Sequence, residues 1–256
     1  EAFFDPLLFF LVWLEKLLIN SPWPIIILVL AGLAWIASRS ILLVIGIIIS
    51  FLMIGYFGMW KDTMSTLAII TVATLICLTA GIPMGIFMAR STRAQAAILP
   101  VLDMMQTIPS FVYLIPVVML FRVGDFTAMI AVILYALAPA VRYTAHGVKN
   151  INNQIIEAAL ICGCSPRQLL FKIKLPLAIP EILLGINQTI MLALSMLVIT
   201  ALVGTRDLGQ EVYIGLTKAD IGRGLIAGLC VAFIAIIADR IIKAGSNKLK
   251  NKYGIK

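Results

Sequence analysis

Few residues in this chain could make or break a covalent bond. There is one histidine, His146, and no carboxylate pair or nucleophile–base pair stands out for acid–base or covalent work. Cys162 and Cys164 form a C-x-C, but no other cysteine and no nearby cluster of histidines completes a tetrahedral metal site. Cys77 and Cys230 lie in apolar runs and read as small core residues. Nothing suggests a disulfide framework, and there is no G-x-x-x-x-G-K-[ST] phosphate cradle. The sequence therefore predicts no catalytic residue, no metal and no cofactor in this chain.

What it offers instead is polar chemistry inside apolar runs. Asp103, Gln106 and Thr107 precede Pro109 and Pro116 in one run; Asn187 and Gln188, then Met191 and Ser195 at helical spacing, sit in another. Polar groups within a membrane helix face the bundle interior or a water-filled cavity. Prolines open the helical hydrogen-bond ladder, which a membrane tolerates where the backbone is buried or lines a cavity. Gln106, Thr107, Pro109, Tyr113, Gln188, Met191 and Ser195 are thus candidates for lining a path through the membrane. Polar groups that glue helices together are the competing reading for each. Asp103 lies near the end of its run, where it pairs locally or meets a cation.

These residues need membrane helices to position them. The 256 residues are 62% hydrophobic and 12% charged. A soluble domain carries roughly twice that charge, so lipid must cover much of the surface. Charge-poor runs at 17–38, 41–60, 63–89, 94–121, 126–141, 182–205 and 224–238 predict an all-α polytopic membrane protein of about seven transmembrane helices. The stretch 8–19, with Glu15–Lys16 among Leu, Phe and Trp, reads as an interfacial amphipathic helix. No basic n-region opens the sequence, so no cleavable signal peptide is expected. Gly81-x-x-x-Gly85 and Gly224-x-x-x-Gly228 mark close helix packing or the ordinary glycine enrichment of membrane helices.

The net charge of +8 follows topology rather than nucleic acid, because the basic residues fall between apolar runs and at the C-terminus. Alternate loops split the 20 Lys+Arg 14 to 6. The richer set holds Arg39, Arg90, Arg93, residues between 142 and 174, and the tail; by the positive-inside rule it is cytoplasmic. This places the N-terminus outside and the tail inside a bacterial cytoplasmic membrane. The chain divides into an N-terminal part (1–60), a transmembrane core (61–244) and a basic tail (245–256).

One cytoplasmic loop, 151–180, reads INNQIIEAALICGCSPRQLLFKIKLPLAIP. Ile155, Ile156, Ala159 and Leu160 make an apolar face on a first helix, which Gly163 ends in a left-handed conformation. Ser165 suits an N-cap and Pro166 the first helical position of a second, short helix made by Arg167 to Lys172, which Pro176 stops. Leu169, Leu170 and Ile173 lie on one side of it. An undocked loop would leave this apolar surface in water, so the pair is shaped for a groove on a partner.

This loop resembles the EAA motif of ABC-importer permeases. Glu157, Ala158, Ala159, Gly163, Ile173, Leu175 and Pro176 match it without a departure in spacing. DMMQTIPSFVY at 103–113, SPRQLLF at 165–171 and NQTIMLALS at 187–195 are similar to permeases for glycine betaine, proline betaine, choline and trimethylamine N-oxide. The similarity covers roughly 60–244; Cys162-Gly-Cys164 is a departure, since less cysteine is expected there.

The resemblance implies the transmembrane domain of a type I ABC importer. It implies two permease copies, two copies of a separate ATPase that binds ATP and Mg, and a periplasmic or lipid-anchored substrate-binding protein. Residues 157–176, with Ser165, Pro166 and Arg167, would couple the ATPase to the path. An importer for an amino acid or phosphonate is the close alternative, since the docking loop is shared across the class. An ion-coupled transporter would need more intramembrane charge than Asp103.

Overall fold

The computed structural model describes residues 5–253, and every regular element among them is helical. Lys256 of the basic tail and the start of the chain lie outside the described residues. The tail expected from 245 continues as helix to Tyr253.

The long apolar runs form long helices, because a membrane offers backbone groups no other partner. Four are long and apolar enough to cross: Trp60–Arg90, Asp125–Lys149, Pro166–Val203 and Ile221–Asn251. We call their α-helical parts α4 (Trp60–Arg90), α7 (Asp125–Lys149), α10 (Leu175–Thr200) and α12 (Ile221–Tyr253). The remaining expected spans are drawn differently. α1 (Asp5–Asn20) and α2 (Trp23–Ser38) meet at a bend of 108°, with extended Pro22 at the corner. α3 (Ile41–Tyr56) has 16 residues, or about 24 Å of helix. The run 94–121 is not one helix. α5 (Thr92–Thr107) ends where Ile108 and Pro109 turn extended, and the segment Ser110–Phe121 departs at 107°. It holds a 3₁₀ turn, Ser110–Tyr113, and α6 (Leu114–Phe121).

Two helices outrun their apolar runs. α7 continues past Arg142 to Lys149, and α12 past Asp239. Each charge has a partner: Arg142 is ion-paired with Asp103 of α5, and Asp239 accepts from Asn187 of α10 at 2.7 Å and pairs with Lys243 at 2.9 Å. A further cation, Lys248, donates to the Ile36 carbonyl at 2.9 Å near the C-terminal end of α2, where a positive charge is favoured.

The core is organised around α7, which packs extensively on α4 and on α10; α12 lies against α10. On the α4 side, contact runs through Gly81 and Gly85. A Cβ at Gly81 would come 2.7 Å from Ala140 Cβ, and one at Gly85 2.6 Å from Thr144 Cβ. The second glycine pair behaves differently. Gly224 approaches Gly215 of the preceding helix, but nothing among the described residues lies within 4 Å of a Cβ at Gly228, so that pair is not one packing face.

Gly85→Val should therefore push α4 off α7 and cost about 1–3 kcal/mol, read as a lower unfolding temperature of the detergent-solubilised protein. Gly228→Val should leave that temperature nearly unchanged.

Candidate functional site

Two regions carry the candidate residues. The first is the hairpin between α7 and α10. α8 (Asn153–Ile161) starts at Asn152, whose side chain accepts from Gln154 N–H at 2.9 Å. It ends in a Schellman turn. Gly163, at φ +77°, donates to the Leu160 carbonyl at 2.9 Å, and Cys164 donates to the Ala159 carbonyl at 3.1 Å. Ser165 then opens α9 (Pro166–Gln168) with a reciprocal capping box: its hydroxyl accepts from Gln168 N–H at 3.3 Å, and the Gln168 side chain accepts from Ser165 N–H at 2.9 Å. Glycine, serine and proline thus fix the angle between α8 and α9 by local chemistry alone.

Pro176 does not stop this helix. Leu169–Lys174 winds in wider π turns, and Leu175 N–H reaches back to the Leu170 carbonyl. That register change leaves Pro176 in the first turn of α10, where its missing donor is not required. Helix therefore runs unbroken from Pro166 to Val203.

The hairpin's apolar face is divided. Ala159 and Leu170 are buried, while Ile155, Leu160, Ile161 and Phe171 are exposed, Ile161 by 87%. Glu157, Ala158 and Arg167 are exposed as well, and Ile173, Leu175 and Pro176 are half-buried. No ion pair to Glu157 or Arg167 forms among the described residues. Cys162 is exposed beside the turn, with no third metal ligand among the described residues.

The second region is the polar face of the bundle. Gln188, Met191 and Ser195 share one face of α10, with Gln188 and Ser195 exposed. Ser195 donates to its own helix at Met191 O, 3.0 Å away. Gln106, Thr107 and Pro109 are exposed at the corner after α5, and Thr107 donates to Met104 O at 3.1 Å. Tyr113 lies in the 3₁₀ turn, which packs on both α7 and α10. Its hydroxyl donates to the Met105 carbonyl, and its ring stands edge-on to Tyr135 of α7 with centroids 6.1 Å apart. The structure thus brings the Tyr113 turn to α10, whereas α5 itself rests on α4 and α7.

Three partners escaped the sequence reading. Tyr135 and Arg142 lie on α7 opposite Tyr113 and Asp103. Arg142 had a signal, a lone cation ending an apolar run within reach of the only acid in the preceding run. Asp207 is the third. It caps α11 (Leu208–Thr217), accepting from Gln210 N–H at 3.1 Å, and the next residue's N–H donates to Thr66 of α4 at 3.0 Å. The apolar side chains of α11 are divided: Leu208 is buried and Leu216 is 78% exposed.

The comparisons with known proteins bear on both regions. Residues 81–251 match the family described as the binding-protein-dependent transport system inner membrane component. The chain belongs to this family. It is 43% identical over 230 residues to the glycine betaine/proline betaine transport system permease protein ProW of Escherichia coli, covering 90% of this chain and 65% of that protein. It is 39% identical over 266 residues to the trimethylamine N-oxide transport system permease protein TmoV of Pelagibacter ubique, covering all of this chain and 37% of that protein. This chain thus spans less than two thirds of the length of either relative. In fold it is similar to a chain of the inward-facing MetNI methionine ABC transporter, at a TM-score of 0.63 and 19% identity over 76% of this chain and 95% of that one. The family region contains both the hairpin and the α10 face.

Burial gives Asp207 a pH dependence. It is 1% exposed, and desolvation, together with the Asp125 carboxylate, raises its pKa from 3.8 to about 6 against the N–H groups of Gln210 and Gly209. The Thr205 hydroxyl sits beside it without full hydrogen-bond geometry. The folded state holds this proton more tightly than the unfolded one, so the group's contribution to stability is present at low pH. That contribution is lost as pH rises from about 4 to about 6. Asp207→Asn keeps a capping side chain and removes the ionisation, so the variant's melting temperature should vary less across that window than the parent's.

Proposed function

We propose that this chain is the permease subunit of an ATP-driven importer for quaternary-ammonium or related osmolytes, such as glycine betaine, proline betaine, choline or trimethylamine N-oxide. The hairpin carries this reading. The short helix α8 and the start of the long helix from Pro166, set at a locally fixed angle, present Ile155, Leu160, Ile161 and Phe171 to solvent, on a segment matching the EAA pattern at 157–176. Exposed apolar side chains on a rigid basic hairpin suit a groove on another protein. The groove is assigned to a separate ATPase, which binds ATP and Mg and supplies the hydrolysis. The names of the glycine betaine and trimethylamine N-oxide permeases support the substrate class.

In the complete assembly, two copies of this chain meet two ATPase copies and a periplasmic or lipid-anchored substrate-binding protein. The hairpin lies on the cytoplasmic side, as the 14 to 6 division of basic residues indicates. The N-terminus is then outside and α12 ends in the cytoplasm. Gln106, Thr107, Pro109, Tyr113, Gln188, Met191 and Ser195 border the route. An aromatic cage would recognise a quaternary ammonium by cation–π attraction. The Tyr113–Tyr135 pair is too small for a cage, so tight recognition belongs to the binding protein.

The test is reconstitution in liposomes with the companion ATPase and binding protein, followed by ATP-dependent uptake of labelled osmolytes. Uptake that ignores ATP and follows an ion gradient would overturn the proposal. Gly163→Asp puts a side chain on a left-handed turn that glycine adopts freely, and sets a charge in the docking face. Uptake should fall sharply in this variant while ATP turnover continues; near-normal uptake would remove the hairpin from coupling.

A further inference from the structure

At the hairpin end of the bundle, α4, α5, α7 and α10 border an open pocket of about 510 Å³. That volume lies in the range of small-molecule sites. Met88, Ala89 and Leu99 supply apolar wall. The polar lining comes mainly from α7, where Arg142, His146 and Lys149 recur at i, i+4 and i+7 and so share one helix face. Gln95 enters from α5 and Glu181 from α10.

The charges in this pocket are arranged unusually. Lys149 Nζ reaches the neutral Gln95 side-chain oxygen at 2.8 Å, and no carboxylate lies within ion-pair distance of it among the described residues. Glu181 lines the same pocket and likewise has no cationic partner among the described residues. Opposite charges thus face one cavity without closing on each other. Arg142 is neutralised by Asp103, yet its Nε is buried without an acceptor. The pocket therefore presents a cation with no carboxylate partner and a carboxylate with no cationic partner among the described residues, beside an apolar wall.

We propose that this pocket is a binding site for a small zwitterion, with the ligand's carboxylate at Lys149 and its cationic end at Glu181. Neither a simple cation nor a simple anion satisfies both poles. Glu181 lies seven residues before Gln188, on the same face of α10. The pocket thus continues the face that carries Gln188 and Ser195 toward the hairpin. Its place on an import route rests on the function proposed above; the binding itself rests on the pocket alone.

The experiment measures binding to the full chain in lipid nanodiscs by ligand-observed NMR. Three probes share a shape. Glycine betaine carries both charges, choline lacks the carboxylate, and tert-butylacetate has carbon in place of the ammonium nitrogen. Glycine betaine should bind best. Lys149→Gln should weaken glycine betaine and tert-butylacetate about tenfold and leave choline unchanged, as expected for loss of one charge-assisted contact. Glu181→Gln should weaken glycine betaine and choline and leave tert-butylacetate unchanged. Lys149→Arg, which keeps the charge, should retain glycine betaine binding, separating lost contact from lost fold. Equal binding of all three probes, or glycine betaine binding indifferent to both neutralising variants, would overturn the site. If this probe pattern holds but the reconstituted complex shows no ATP-dependent uptake, the importer reading fails and the site stands.

Discussion

The close approach of α4 to α7 is the contact on which the other placements depend. Glycine at 81 and 85 lets the two backbones meet at Ala140 and Thr144. Lipid supplies no hydrophobic drive between helices, so such van der Waals contact and polar pairing hold the bundle together. With one side of α7 fixed on α4 and another on α10, its remaining face is set. That face presents Tyr135 to Tyr113 and Arg142 to Asp103, then continues to Lys149. Each polar candidate near the bundle's open face is positioned by this arrangement.

The hairpin is held by a different kind of force. Its angle depends on backbone conformation and short-range hydrogen bonds at Gly163, Ser165 and Gln168. It needs little tertiary support, which is how it can leave Ile161 and Phe171 uncovered. Rigid geometry and exposed apolar area rarely coincide in a connecting segment; solvated loops have neither feature. The hairpin lies within the region that matches the binding-protein-dependent transport family.

Local chemistry was legible in the sequence, and long-range pairing was not. The Schellman glycine and the Ser165–Pro166 start follow from residue types at fixed offsets, and the structure has both. The apolar runs located the membrane helices but not their ends. Arg142 and Asp239 suggested boundaries, yet Arg142 is neutralised by Asp103, 39 positions away, and Asp239 accepts from Asn187, 52 positions away, while pairing with Lys243 one turn along its own helix. Pro176 suggested a stop because the widened winding of Leu169–Lys174 leaves little trace in composition. Pro109 signalled a break in the run after α5, but the size and direction of the 107° turn depend on how the 3₁₀ segment packs on α7 and α10. Asp207 carries no signal of burial in the sequence, since its burial arises only when α11 folds back onto Thr66.

The unbroken helix from Pro166 to Val203 has a mechanical consequence. Its 38 residues span roughly 57 Å at the usual helical rise. A tilt of about 10° at the hairpin end would carry the far end sideways by about 10 Å for a rod of that length. The far end is tied down, because the segment after Val203 leads within a few residues to the Thr66 anchor. Displacement at one membrane surface must then appear at the other as stress where α11 and α4 hold the helix end, including the buried Thr66 contact, and the Gln188–Ser195 face rides between the two ends of the beam.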